Sequence, residues 1–141
     1  MTARNTLKLK ELIFNTLNND MTLRGLLGGV GHVRHANPQQ LSEYPLVVYS
    51  IIEETDDVFD DAQGTNIVKT RLIVETFSSQ IASTQSDAID DRVYTLLNGQ
   101  RLSNSSVQVY SVYRESRTPI YEPDIKVWRV QSAYNINNST L

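Results

Sequence analysis

Six carboxylates stand within nine positions in the acidic stretch EETDDVFDD, residues 53–61. Carboxylate oxygens are the ligands that Ca²⁺ and Mg²⁺ prefer, so a small metal-dependent enzyme could be built around Asp56, Asp57, Asp60 and Asp61. The run lacks the EF-hand pattern of alternating Asp or Asn with a central Gly and a Glu at the twelfth position. The spacing therefore argues against a metal site and leaves two interpretations open, a solvated loop and an interaction surface.

The other residue types that could do chemistry are scattered. His32 and His35 lie three positions apart in GHVRH without an acidic residue nearby in sequence. The serines near position 105 lack a G-x-S-x-G motif, and GLLGGVG lacks the lysine and the preceding strand of a phosphate-binding loop. Because nucleophile, base and stabilising group do not occur together, we predict no catalytic residue, no metal, no cofactor and no enzymatic activity.

Electrostatic repulsion limits how the acidic stretch can be arranged. Two carboxylates about 7 Å apart in water repel by roughly 0.6 kcal/mol before salt screening. Six of them would cost several times that amount if they were held rigid and unpaired. Lys69 is expected near Glu53 across a hairpin and would relieve one of the six. We therefore expect residues 54–66 to be poorly ordered in an isolated subunit and ordered in an assembly. The interaction residues are predicted to be Glu53, Glu54, Asp56, Asp57, Asp60 and Asp61.

Composition indicates one domain spanning residues 1–141, because 40% hydrophobic content over this length is enough to close one core. The 13 basic and 16 acidic residues give a net charge of −3, which disfavours a free nucleic-acid binder. There is no cysteine, so no disulfide or thiolate site is expected. No apolar run reaches the length of a membrane span or a signal-peptide core, so neither a membrane partner nor export by that route is expected.

Two helices are predicted before the acidic stretch. Residues 6–18 place apolar side chains at helical spacing. Asp20 can cap a second, shorter helix that Gly28 and Gly29 then stop. From Val30 to Tyr44 the composition is typical of a surface connection.

The remaining elements predict an α+β fold. Strands are expected at 46–52, 67–77, 106–113 and 125–134, and a long helix at 81–97. The acidic stretch would form the tip of a long hairpin between the first two strands, and the prolines of RESRTPIYEPD would keep that stretch out of a central ladder. The prediction is a four-stranded antiparallel sheet with a ββαββ core, the first and the long central helix packed on one face, and an extended β-hairpin.

Strand alternation places basic residues on one face of this sheet. Lys69 and Arg71 share a face of their strand, and Arg129 shares a face with Val127 and Gln131. A basic face formed by Lys69, Arg71 and Arg129 together with an acidic tip predicts a head-to-tail contact between copies. Such contacts close into rings when the rotation permits.

The segments LRGLLGGVGHV, YPLVVYSIIE, RLIVETFSS, DAIDDRVYTLLNG and IKVWRVQSAYNI, in this order, resemble the tail-completion or tail-terminator family of tailed bacteriophages. The resemblance in layout runs from about Leu7 to Ile136. It implies an α/β fold with an antiparallel sheet and no catalytic residues. The positions that transfer are the strand start at Tyr44 and Pro45, the strand from Leu72 to Phe77 and the helix from Ala88 to Leu97.

The resemblance also implies a function. Such a protein forms a homohexameric ring on the last ring of tail-tube protein, ends tail elongation and presents a surface to the head connector, and DNA passes through the hole without sequence-specific binding. The expected location is the virion tail or neck, after assembly in the host cytoplasm. A head-side connector or stopper ring is the alternative within this class. The acidic hairpin would face either the lumen, where it would repel phosphate, or a neighbouring ring.

Overall fold

The computed structural model describes residues 6–29, 31–35, 44–58, 66–78, 83–124 and 126–140. These ranges form a mixed α+β fold with three helices and one open five-stranded sheet, whose strand order is β1-β2-β3-β5-β4. In chain order the elements are α1 (Thr6–Asn18), α2 (Met21–Leu27), β1 (Val33–His35), β2 (Leu46–Val58), β3 (Asn66–Phe77), α3 (Thr84–Leu97), β4 (Val107–Glu122) and β5 (Val127–Thr140).

The prediction of a four-stranded antiparallel sheet is wrong in one respect. A fifth strand, β1, lies within the segment expected to be a connection and pairs parallel to β2, with Val33 opposite Val47. Val47 N donates to His32 O at 2.8 Å, and Val33 is buried. A strand of three residues is too short to show the alternation from which strands are predicted.

All three helices cover the same face of the sheet, which we call the helix face, as predicted for the first and the long helix. The apolar stripe of α1 buries Leu9, Leu12, Ile13 and Leu17 against α2, α3 and the strands. Burial of each such side chain stabilises the fold by about 1.5–3 kcal/mol. The opposite face, which we call the open face, carries a small apolar cluster of Leu46, Val48, Phe77 and Val127 at one end.

The predicted start and end of α2 are confirmed. The Asp20 carboxylate accepts a hydrogen bond from Leu23 N at 2.8 Å, and Gly28 ends the helix in the left-handed conformation at φ 81°. The same carboxylate forms two bonds of 2.8 Å with the Arg92 guanidinium on α3. Asp20 therefore both caps α2 and fixes it to α3.

The interpretation of the acidic stretch as a hairpin tip is wrong for the part that the structure describes. β2 continues to Val58 and pairs with β3 as far as Val58 opposite Asn66. Ile52 forms a β-bulge, which shifts the register so that Glu53 lies opposite Arg71 and Thr55 opposite Lys69. The expected pairing of Glu53 with Lys69 is therefore wrong by two positions. Residues 59–65, and with them most of the predicted disorder between 54 and 66, lie outside the described residues.

The long connection predicted before the last strand is mostly strand as well. β4 runs to Glu122 through Pro119 and pairs with β5 over this length. Proline is tolerated because β4 is at the edge of the sheet, where a missing N–H breaks no ladder bond to a second neighbour. The predicted long helix is confirmed as α3, which runs from Thr84 to Leu97.

Replacing Asp20 with alanine should destabilise the protein. Loss of the helix cap alone costs about 1 kcal/mol, and the Arg92 guanidinium also loses its partner. Urea unfolding of Asp20→Ala and of the nearby control Asn19→Ala at neutral pH measures this difference.

The pH dependence adds a second readout for Asp20. The hydrogen bond from Arg92, and to a lesser degree that from Leu23, holds the pKa of Asp20 below its usual range against the opposing effect of burial. The stabilising contribution is therefore present at neutral pH and is lost as pH falls through this lowered pKa. Equal urea midpoints for Asp20→Ala and the parent at pH 7 would contradict the assignment.

Candidate functional site

The acidic candidates do not gather in one described cluster. Glu54 lies on the helix face, where its carboxylate accepts a hydrogen bond from Thr6 Oγ1 at 2.8 Å. Glu53 lies opposite Arg71 on the open face. Asp56 and Asp57 follow Thr55 in β2, opposite Val68 and Ile67. Asp60 and Asp61 lie outside the described residues.

The basic candidates share the open face, and the two arginines form ion pairs within the chain. Arg129 contacts Glu75 and also Glu122, the latter at 2.7 Å, and Arg71 contacts Glu115 at 3.3 Å. Lys69 is exposed on the same face. Strand alternation thus places all three on one face, where carboxylates of the same chain balance the charge of the arginines. Contact of this face with a second copy stays a prediction.

The side chains of both histidines contact residues at or just before the first positions of β2. His32 Nδ1 lies 2.6 Å from Pro45 O, and the His35 ring packs edge-on against Tyr49 with centroids 5.3 Å apart. Burial, and then the nearby Lys10 ammonium, lowers the pKa of His35. In the described parts of the chain, no group of three or more histidine and acidic side chains could hold a metal ion.

The main polar cluster was not anticipated from the sequence. Asp90 of α3 is completely buried beneath the helix face of the sheet. Its carboxylate accepts hydrogen bonds from Arg117 Nε at 2.8 Å, from Arg114 at 3.3 Å and from Ser132 Oγ at 2.8 Å. A buried carboxylate is tolerated only when it is paired and hydrogen-bonded in this way. We call these four residues the Asp90 cluster.

The arginines of the Asp90 cluster have further partners. Arg117 also contacts Asp87 at 2.5 Å, and the Arg114 guanidinium lies over the Tyr94 ring at 4.2 Å from its centroid. The hydrogen bond to Asp90, followed by the weaker effect of Asp87, raises the pKa of Arg117 against the opposing effect of burial. The cluster therefore joins α3 to both β4 and β5 through charge-assisted bonds.

A bulge in β4 makes this convergence possible. Residues three apart on a regular strand point to opposite faces, yet Arg114 and Arg117 both lie on the helix face, opposite Tyr134 and Ser132. The extra residue, Glu115, is unpaired in the ladder and reaches Arg71 on the open face. A simple alternation of β4 could not predict this arrangement. The available signal was an aspartate at position 90, next to Ile89 and three positions before Val93 on the buried stripe of α3.

Beside the cluster lies the fully buried Tyr134, whose hydroxyl has no hydrogen-bond partner among the described residues. Burial is the main cause of its raised pKa, so this phenol stays protonated at neutral pH. Neither the protonated phenol of Tyr134 nor the paired carboxylate of Asp90 is an activated nucleophile. The arrangement is suited to holding α3 on the sheet.

A groove of ≈ 480 Å³ lies apart from the Asp90 cluster, between α1 and the β1 edge of the sheet. Its lining includes Leu7, Lys10, Phe14, His35 and Tyr49. The groove is largely apolar, and its polar lining consists of Lys10, Glu11, Asn15 and His35. No helix of the described residues is both long and apolar enough to cross a lipid bilayer.

No family model and no curated protein matches this sequence. Among solved structures, the chain is similar to a chain of the virion of a native gene transfer agent (GTA) particle, with a TM-score of 0.74 at 15% sequence identity. The likeness covers 93% of this chain and 94% of that chain. At this identity the comparison shows a shared fold, and its coverage extends that fold over nearly the whole of both chains.

Replacing Asp90 with asparagine should destabilise the protein by about 3 kcal/mol, because two partly buried guanidinium groups lose the charge of the fully buried carboxylate that they share. The adjacent Asp91 is exposed on the same helix, and Asp91→Asn should stay within about 0.5 kcal/mol of the parent. Chemical denaturation of the three proteins measures the difference. Equal stability of the Asp90 and Asp91 variants would show that the cluster does not hold α3 in place.

Proposed function

We propose that this chain is a structural protein of a phage-like virion. In this role it forms a ring on the last ring of the tail tube, ends tail elongation and provides the surface that joins tail to head. The observation that carries the proposal is the likeness to a chain of a gene transfer agent virion, which extends over 93% of this chain. Coverage of that extent involves the entire domain and not merely one common motif. The resemblance of the sequence to tail-terminator proteins supports the narrower role.

The polar chemistry of the fold is compatible with a protein that acts through its surfaces. The buried charges of the Asp90 cluster hold a helix to the sheet. Two arginines of the open face pair with glutamates of the same chain, as Arg71 does with Glu115. A terminator needs rigid surfaces of defined shape and no reactive side chain. Buried, fully bonded networks supply that rigidity.

Ring formation in this proposal uses unlike surfaces of successive copies. Such heterologous contacts close when the rotation between copies divides a full turn, and six copies are proposed. The acidic residues from Glu53 to Asp61 and the residues Lys69, Arg71 and Arg129 remain the proposed charged contacts. Acidic residues at the lumen would repel phosphate and let DNA pass. At a neighbouring ring, basic residues would neutralise them and set the register. The proposed partners are tail-tube and head-connector proteins.

Deletion of the gene in the strain that produces the particle should yield overlong tails without heads. The physical reason is that nothing would then cover the end at which tube subunits add. Electron microscopy of lysates gives the tail-length distribution, and a plasmid copy of the gene should restore it. Headless tails of uniform, normal length would contradict termination and support a head-side connector ring instead.

The purified protein should form hexamers at high concentration that a chelator does not dissociate. Native mass spectrometry across a concentration series, with and without EDTA, checks both points. Because a ring can require the tail end as its template, tube particles should be added as a second condition. A protein that stays monomeric in both conditions but binds one divalent cation tightly, and loses a measurable turnover on Asp56→Asn, would support a metal-dependent enzyme and overturn the proposal.

A further inference from the structure

A second apolar row runs along α1, beside the row that contacts the core. Leu7 and Phe14 are seven positions apart and line the groove between α1 and the β1 edge of the sheet. Seven residues make about two helical turns, or roughly 10 Å, so both side chains lie on the same side of the helix. Leu7 is 66% exposed, and Tyr49 of β2 completes the apolar lining. α1 therefore presents apolar surface beyond what its contact with the core uses.

A lysine lies between these two apolar side chains on the same side of the helix. Lys10 lines the groove, and its ammonium group is close enough to His35 to contribute to the lowered pKa of that imidazole. Because this pKa is lowered, His35 is uncharged at neutral pH. Among the described residues, Lys10 has no ion-pair or side-chain hydrogen-bond partner. The groove therefore combines an apolar lining with one cation that the described part of the chain leaves unpaired.

The carboxylate of the lining is already paired. Lys8 Nζ lies 3.2 Å from Glu11 Oε2, so a neighbouring cation on the same helix balances the charge of Glu11. The unpaired charge at the groove is thus the positive charge of Lys10, and an acidic ligand complements it. The net charge of the whole protein is −3, which opposes general attraction of anions. An acidic ligand would therefore bind through local contacts in the groove.

The shape of the groove favours part of a larger partner over a free small molecule. Its volume of ≈ 480 Å³ is large enough for a bulky side chain. Its rim is open, because Leu7, Glu11, Asn15 and His35 are all exposed. Sites for free ligands bury about 70–90% of the ligand surface, which an open groove does not. The side chain of another protein needs less enclosure, because contacts around it also hold it in place.

We propose that the groove between α1 and the β1 edge binds an anchor of another protein, namely a bulky apolar side chain with an acidic residue next to it. The apolar side chain would lie against Leu7, Phe14 and Tyr49, and the neighbouring carboxylate would pair with the Lys10 ammonium. The imidazole of His35 can donate one further hydrogen bond. The groove belongs to the single chain, and its use does not depend on ring formation.

The test titrates the isotope-labelled full chain with the peptide acetyl-Gly-Phe-Asp-Gly-amide and follows the backbone amide signals by NMR. Saturable shifts are expected in α1, in β1 and at Tyr49, and binding should weaken as salt increases. Two counterpart peptides replace either Asp with Lys or Phe with Ser. Each should bind at least about fivefold more weakly, because it loses the ion pair or the apolar contact.

Paired variants of the protein locate the site. Lys10→Gln should weaken binding of the Phe-Asp peptide about threefold, as expected for loss of one partly exposed ion pair. Lys126→Gln changes the net charge equally at the exposed turn between β4 and β5 and should leave binding unchanged. Leu7→Ser should also weaken binding, whereas Met21→Ser, at a 73% exposed position of α2, should have no effect. Thermal unfolding of all four variants checks that the fold is retained.

Four results would each overturn the proposal. The first is the absence of saturable shifts at the groove with the Phe-Asp peptide. The second is equal binding of the Phe-Asp and Phe-Lys peptides, and the third is an equal effect of the Lys10 and Lys126 variants. The fourth is tighter binding of 3-phenylpropionate than of the peptide, which would assign the groove to a free organic acid instead of a protein partner.

Discussion

The architecture depends on one buried carboxylate. Asp90 has no access to solvent and is compensated by two guanidinium groups and a hydroxyl that come from two different strands. Because a buried charge without partners costs several kcal/mol, α3 can lie in only one rotational setting on the sheet. This setting determines where Arg92 meets Asp20 and therefore how α2 is placed. A purely apolar contact would tolerate small rotations of the helix that this network forbids.

Polar groups on the two faces of the sheet have different tasks. On the helix face, the buried Asp90 carboxylate and its two arginines hold α3 to β4. On the open face, Arg129 and Arg71 are partly exposed and pair with glutamates across strands. Exposed pairs of this kind contribute little stability, but they keep the local potential near neutral. The Glu115 bulge connects the two tasks, since it sends one glutamate to the open face and two arginines to the other. The fold thus combines a fixed interior with an open face whose arginines are paired within the chain.

Elements with a long, regular pattern could be predicted from the sequence. The apolar stripe of α1, the Asp20 cap with its glycine stop, and the alternation of β3 each come from local chemistry and are confirmed. β1 could not be predicted because three residues are too few to show an alternation of apolar and polar side chains. The extension of β2 into the acidic stretch could not be predicted because acidic residues are depleted in strands. The Asp90 cluster depends on a bulge, which shifts every later residue of β4 to the other face. Such a shift follows from tertiary pairing and leaves no trace in composition.

The connection between α3 and β4 covers part of the β4 edge, with Gly99 N donating to Val112 O and Val109 N donating to Leu102 O. These bonds limit growth of the sheet in one dimension. A fibre of sheets requires that every molecule offer a donor edge and an acceptor edge, so that each addition recreates the site that was filled. Here the loop bonds from Gly99 and Val109, together with Pro119, remove one of the two. A molecule without a second edge of this kind cannot continue such a series. Open-ended stacking of sheets edge to edge is therefore disfavoured by the backbone bonds at β4.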